Sequence, residues 1–228
     1  MKPSFALNLT EDGITLLHRT SRGWMDVGNV AFADPDLGAA LDYLRSTALG
    51  LSPKGITTKL IIPESQILYL QIDAAGPDET SRRAKIEAAL DGRTPYALDE
   101  LAYDWSGDGS TVTVAVVARE TLTEAEAFAT EHRFNPVSFV ARPEGPFDKE
   151  PFFGPSALAP SLLAAKEKVE ADAEPVTIIA REMPRSDDPV TTAQADPVAV
   201  TEASEPPAEP EVPEPEPDLP EPVAPEPE

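Results

Sequence analysis

Residues 94–119 read TPYALDELAYDW, SGDGS and TVTVAVVAR, and this stretch decides the fold. Aromatic and β-branched residues, which favour strands, lie on both sides of Gly107-Asp108-Gly109. Glycine-rich turn residues between two apolar runs are typical of a β-hairpin. The stretch therefore predicts a hairpin whose apolar side chains face a core, and it holds almost no group that could do chemistry.

Five further short strands and a helix are predicted before this hairpin. The strands are FALNL (5–9), ITLLHRT (14–20), WMDVGNVAF (24–32), TTKLII (57–62) and ILYLQI (67–72). Asp34-Pro35 predicts the start of the helix, because aspartate caps free amides and proline suits the first helical position, and Gly50 predicts its end. The order β-β-β-α-β indicates an α+β domain with a mixed sheet.

Two more helices and a last strand are predicted around and after the hairpin. One helix runs from about Asp78 to Leu90. The other begins at Thr123, since Thr123 and Glu126 have the spacing of a capping box. VSFVA (137–141) predicts the last strand, and beyond Pro143 the periodic signal fades.

The composition changes sharply near residue 144. Residues 1–143 hold 8 of the 26 prolines and a net charge of −7, whereas residues 144–228 hold 18 prolines and a net charge of −16. A segment so rich in like charge and proline buries too little apolar surface to fold. We therefore predict an α+β domain over 1–144, a linker with a short helix over 145–180, and a disordered acidic Pro/Glu-rich tail over 181–228.

The amino-acid composition and net charge of the chain disfavour several classes of function. The chain has no cysteine, and its first residues have no apolar run long enough for a signal peptide. No stretch approaches the roughly 20 apolar residues of a membrane helix. With a net charge of −23, binding to nucleic-acid phosphates is not expected. These features predict a cytoplasmic protein with protein partners.

The candidate chemistry is sparse. The sequence has no P-loop, and His18 and His132 are its only imidazoles, each better explained as structural. Asp99, Glu100 and Asp104 could pair as acid and base, but we expect a solvated turn, with Asp104 facing outward beside a buried Trp105. No catalytic, metal-binding or cofactor-binding residue is predicted.

One group of residues is a candidate partner-binding surface. Basic side chains are concentrated at Arg82, Arg83, Lys85 and Arg93, close to Tyr96, in an otherwise acidic molecule. One interpretation is a solvated helix face. The other is a surface that docks an acidic partner, with the protein's own tail as a competitor.

The chain resembles a known family over residues 4–144. FALNL, ITLLHRT, WMDVGNVAF and TTKLIIP resemble the first subdomain of the actin-like, RNase H-type fold. The block from ILYLQI to TVTVAVVARETL resembles the small insertion of the pilus-assembly protein PilM and its secretion-system relative GspL. The residues that match the family phrase are Thr94, Pro95, Tyr96, Leu98, Leu101, Tyr103, Asp104 and Trp105.

The resemblance implies a non-catalytic cytoplasmic adaptor that joins an assembly ATPase to an inner-membrane partner in a pilus- or type II secretion-like assembly. It covers the first actin-like lobe only. Actin-like ATPases hold magnesium and phosphate with an aspartate and glycines in the first turn, where this chain has residues 8–13, NLTEDG. A degenerate nucleotide-binding relative is the alternative, and we expect no ATPase activity.

The chain is also similar to alphaproteobacterial proteins labelled translation initiation factor two. This similarity implies a translation-associated role. A factor of that kind needs a GTPase P-loop, which the sequence lacks, and usually a basic surface for ribosomal RNA.

Overall fold

A computed structural model describes residues 1–143, 145, 147–164, 167–173 and 176–179. The predicted tail, 181–228, lies outside these residues. The strands are β1 (Phe5–Leu9), β2 (Gly13–Thr20), β3 (Gly23–Ala31), β4 (Thr58–Ile61), β5 (Leu68–Asp73), β6 (Leu101–Ser106), β7 (Thr111–Ala118), β8 (Pro136–Val140), β9 (Phe152–Pro155) and β10 (Ile178–Ile179). The helices are α1 (Leu37–Leu51), α2 (Glu79–Leu90), α3 (Arg119–Glu131) and α4 (Ala159–Leu162).

The larger sheet has the order β10-β3-β2-β1-β4-β8-β9. Its first three strands form the predicted antiparallel meander, and β4 and β8 then join in parallel to β1 and to β4. The connections to β4 and β8 run through helices, as parallel pairing requires. This mixed sheet, with three antiparallel strands followed by parallel ones, confirms the α+β class and is the RNase H-type arrangement.

The hairpin of residues 94–119 lies at the centre of a small subdomain inserted between β4 and β8. Its strands β6 and β7 form a three-stranded sheet with β5, in the order β5-β7-β6, and α2 packs on it. Ile86 and Leu90 of α2 share a core with Ile72, Val112 and Val114. The hairpin prediction is therefore confirmed, and Gly107 has a φ of 112°, which glycine adopts without strain.

The ends of two helices differ from the predictions. Asp36, and not Asp34, caps α1, and its carboxylate accepts from the Ala39 amide. Helix α3 begins at Arg119, before the predicted capping box at Thr123. A hydroxyl inside a helix can bond the carbonyl one turn earlier, and that of Thr123 donates to Arg119. The predicted start of α2 near Asp78 is confirmed, and the Asp78 carboxylate caps the helix by accepting from the Ser81 amide.

The main core lies between one face of the larger sheet and helices α1 and α3. Side chains at alternate positions of β1, including Phe5 and Leu7, are fully buried there. Leu41 and Leu44 of α1 and Leu122 of α3 pack in the same cluster. This alternation is the period-2 pattern that the sequence displays, so burial of one sheet face follows from it.

Residues 147–164, 167–173 and 176–179, which we call the strap, cover part of the opposite face of the sheet, and Phe147 and Phe153 of the strap reach the main core. The strap adds β9 next to β8 and β10 next to β3. The structure therefore differs from the predicted linker over 145–180, although the short helix is present as α4. Three apolar strap residues, Phe152, Val176 and Ile178, pack on this face, too few and too irregular to give a periodic signal.

No helix within the described part of the chain is long and apolar enough to cross a membrane.

Candidate functional site

An open groove of about 860 Å³ separates the small subdomain from the beginning of the strap. Arg82 and Arg83 of α2 line one side, and Tyr103 and Trp105 of β6 lie beside them. The strap residues Asp148, Lys149 and Phe152 line the other side. Two separate parts of the chain therefore build this groove.

Arg82 fastens α2 to the hairpin turn. Its guanidinium donates to the carbonyl of Gly107 at 3.3 Å and to that of Asp108 at 2.7 Å. Carbonyl groups satisfy the hydrogen-bond donors of arginine but carry no formal charge. The positive charge of Arg82 therefore remains available to the groove.

Arg83 and two aromatic rings form the floor and rim of the groove. The guanidinium carbon lies 4.9 Å from the centroid of the Trp105 ring and 5.9 Å from that of Tyr103, within cation–π range. The two rings are stacked, with centroids 6.4 Å apart. Trp105 is half-buried. The prediction that it is buried is therefore only partly right, because one part of its ring packs on the subdomain core while another lines the open groove.

Asp104 joins the small subdomain to the strap. Its carboxylate accepts from the ammonium of Lys149 and from the amide of Phe152, each at 3.0 Å. Ser106, two residues along β6, exchanges two hydrogen bonds of 3.0 Å with Asp148. The Asp104 side chain is only 14% exposed. The expectation that it faces outward is therefore wrong, because its partners come from a segment 45 residues later.

The predicted partner-binding residues do not all line this groove. Arg82 and Arg83 do, whereas the ammonium of Lys85 donates to the Ala75 carbonyl. Arg93 is exposed in the turn after α2. Tyr96 is 41% exposed and lines a separate groove of about 250 Å³.

The groove carries both signs of charge. The acidic side chains that line it are Asp78, Glu79, Asp104, Asp108 and Asp148. Three basic side chains, Arg82, Arg83 and Lys149, lie among them. The groove that Arg82 and Arg83 line therefore has mixed charge and an aromatic floor, and the docking of an acidic partner by the basic residues stays a prediction.

Two substitutions on the small subdomain distinguish an aromatic ring that packs on the core from one that is exposed. We expect Trp105→Ala to cost about 2 kcal/mol of unfolding free energy, because its ring packs against the subdomain core. Tyr96→Ala should change it by less than about 0.5 kcal/mol, because Tyr96 is exposed. Urea unfolding of both variants measures the difference, and equal losses would contradict this assignment of the two rings.

The first turn of the larger sheet, residues 8–13, is closed by hydrogen bonds between Thr10 and Gly13. The Thr10 hydroxyl donates to the Gly13 carbonyl at 2.9 Å and accepts from the Gly13 amide at 3.1 Å. Glu11 and Glu64 line the adjacent cleft of about 270 Å³ together with Arg142. Carboxylates repel phosphate, so this cleft is poorly suited to a nucleotide.

The two histidines each lie against a phenylalanine ring. His18 packs on Phe5 and His132 on Phe128, each pair with ring centroids 4.8 Å apart. Over the residues that the structure describes, no three His, Cys, Asp or Glu side chains are grouped so that they could hold a metal ion.

A buried charge cluster fastens the strap to the sheet. Lys59 of β4 is 1% exposed, and its ammonium donates to Glu150 and, at 2.8 Å, to Asp172. Arg19 of β2 makes two hydrogen bonds of 3.0 and 2.6 Å to Asp172. The Trp24 ring lies 4.5 Å from the Lys59 ammonium. Two strap carboxylates thus share one buried lysine.

The two carboxylates titrate in opposite directions. Burial raises the pKa of Glu150 to about 7, against the opposing charge of Lys59. Burial also acts on Asp172, but hydrogen bonds from Arg19 and Lys59 outweigh it and lower the pKa of this carboxyl below its ordinary value. A proton is therefore taken up first at Glu150 as the pH falls.

These shifts predict that the combined contribution of Glu150 and Asp172 to stability is largest at about pH 4. The folded protein binds a proton at Glu150 between its ordinary pKa of 4.5 and about 7, so the contribution of Glu150 to stability should fall by up to about 3 kcal/mol as the pH rises through this window. The contribution of Asp172 is present above its ordinary pKa of 3.8 and is lost as the pH falls below it.

Urea unfolding of the wild type and Glu150→Gln between pH 5 and pH 8 tests the Glu150 contribution. The variant keeps every other titrating group, so the difference between the two pH profiles isolates Glu150. Parallel profiles would contradict a raised pKa at this position.

Comparisons with known proteins give structural likenesses. No protein-family model matches the sequence, and neither does any curated protein. One similar solved structure is the cytoplasmic domain of EpsL, an inner membrane component of the type II secretion system of Vibrio cholerae, with 16% identity and a TM-score of 0.45 over 77% of this chain and 80% of that chain. Another is a PilM–PilN type IV pilus biogenesis complex, with 11% identity and a TM-score of 0.48 over 62% of this chain and 48% of that chain. At these sequence identities and TM-scores, the function has to be inferred from the chain's own residues.

Proposed function

We propose that this chain is a non-catalytic cytoplasmic adaptor that docks a protein partner of a pilus- or type II secretion-like assembly in the groove between α2, β6 and the strap. The observation that supports it is the groove itself, with its aromatic floor and its walls of both charges. The RNase H-type sheet with a small inserted subdomain also agrees with the kinship that the phrase around Tyr103 and Trp105 implies.

The lining of the groove suits an extended protein segment. Tryptophan, tyrosine and arginine are the residues that contribute most to protein interfaces. Here Trp105, Tyr103 and Arg83 are stacked together at the groove, and Arg82, the preceding residue of α2, also lines it. Charges of both signs around such a centre set the orientation of a partner more than its affinity.

A photo-crosslinker placed in the groove tests the proposal. The full chain, with p-benzoylphenylalanine in place of Arg83, is irradiated in its native host, and the same reagent in place of Tyr43 is the control. Tyr43 lies on α1 and is 77% exposed. We expect an adduct at position 83, absent at position 43, that mass spectrometry identifies as an inner-membrane assembly protein or an assembly ATPase.

Other outcomes contradict the proposal. The proposal is contradicted if no adduct forms at position 83, if adducts form equally at both positions, or if the adduct contains only unrelated proteins. The variant Trp105→Ala in the crosslinking background should reduce the yield, since it removes the aromatic floor.

The non-catalytic part of the proposal is tested separately. Calorimetric titration of the full chain with ATP and magnesium should give no binding in the micromolar range, because Thr10 closes the first turn onto Gly13. Micromolar binding would instead favour the degenerate nucleotide-binding relative. Co-sedimentation with ribosomes would favour the translation-associated role.

A further inference from the structure

Residues 148–152 of the strap are held from two sides. Lys149 and the amide of Phe152 bind Asp104 of the small subdomain. Glu150, which lies between them in the chain, binds Lys59 of the larger sheet. Residues 148–152 therefore connect the groove wall to the buried charge cluster, so a movement of this segment changes both.

The strap is attached to the sheet by the charge cluster and by few apolar side chains. These are Phe152, Val176 and Ile178 on the covered face, and Phe147 and Phe153, which reach the main core. Its regular elements are short, since β9 has four residues and β10 has two. Segments with few buried apolar contacts open at a lower free energy than core strands.

We propose that the strap is a detachable clasp, fastened by Lys59, whose opening dismantles the groove while β1 and β4 stay folded. Opening removes Lys149 and Phe152 from the groove. It also uncovers Lys59 and the apolar side chains of Trp24, Ile61 and Val140. The role of the clasp as a regulator of partner docking rests on the proposed function. The opening of the clasp itself is measured without any partner.

Native-state hydrogen exchange on the full chain tests the opening. The informative strap amides are Phe152, which donates to Asp104, and Ser156, which donates to the Val137 carbonyl at 3.0 Å. We expect both to exchange on the order of 100-fold faster than the amides of Leu7 and Leu60 in the central strands. Equal opening free energies in the strap and in the central strands would overturn the proposal.

A matched pair of charge-removing substitutions tests the fastening. Asp172→Asn removes the carboxylate charge that Lys59 and Arg19 share and should speed exchange of the Phe152 amide at least about tenfold, the effect of weakening one or more charged hydrogen bonds, with Leu7 unchanged. Glu167→Gln removes the same charge from an exposed strap residue and should leave both rates unchanged. No change in Asp172→Asn, or the same change in Glu167→Gln, would contradict fastening by the cluster.

Discussion

Replacing Lys59 by alanine is expected to lower the free energy of unfolding by about 3–5 kcal/mol. The substitution removes the ammonium that Glu150 and Asp172 share, and it leaves Glu150, 1% exposed, without its cation. A buried carboxylate that loses its cation must either stay charged away from water or take up a proton at a pH above its ordinary pKa, and both cost stability. Urea unfolding at pH 7.5 gives the free energy, and in the variant the strap amides should exchange at the rate of an unstructured peptide.

Lys54→Ala is the control for the loss of one positive charge. Lys54 is exposed in the loop before β4, so this variant should lie within about 0.5 kcal/mol of the wild type. If Lys59→Ala costs less than about 1 kcal/mol, the charge cluster does not hold the strap in the way that its geometry indicates.

Replacing Gly13 by alanine is expected to cost roughly 3 kcal/mol. Gly13 begins β2, and a Cβ there would lie 2.2 Å from the carbonyl oxygen of Val30 and 2.9 Å from the Cα of Ala31. Both are backbone atoms of the neighbouring strand β3, so no side-chain rotation can relieve the contact. The pair β2–β3 would have to separate at the end where Gly13 lies opposite Ala31.

Gly50→Ala is the matched control for this change. Gly50 lies within α1, and no atom lies within 4 Å of the position that its Cβ would take. Alanine favours the helix by about 0.5–1 kcal/mol over glycine, so this variant should be more stable than the wild type. Thermal unfolding of both variants gives the two signs, and a destabilised Gly50→Ala would contradict the open surroundings of that position.

Local patterns were sufficient to predict most of the elements. The meander, the hairpin and the start of α2 near Asp78 depend on residues close together in sequence, so their signals are complete within a short window. The start of α3 was predicted too late because Glu126 bonds the amides of Ala157 and Leu158 and not its own helix. A capping-box spacing alone does not distinguish these two uses.

The strap and half of the groove could not be predicted, because their partners are distant in sequence. Lys59 in TTKLII reads as an exposed lysine between apolar neighbours, and its carboxylates come 91 and 113 residues later. For the same reason, Arg82 and Arg83 were identified as site residues whereas Lys149 and Phe152 were not. Their place beside Trp105 depends on the bonds of Asp104.

The edge of the larger sheet at β3 has a consequence for solubility. Within the described residues, β10 covers only Trp24 and Met25, so the outer backbone groups from Asp26 to Ala31 are a template for another strand. The pairing of β3 with β2 passes directly from Asp26 to Gly28, so that Val27 forms a bulge, and bulges twist an edge away from flat pairing. A charged residue and a bulge together discourage edge-to-edge aggregation. We therefore expect Asp26→Val, which removes this charge, to lower the solubility of the protein far more than its free energy of unfolding.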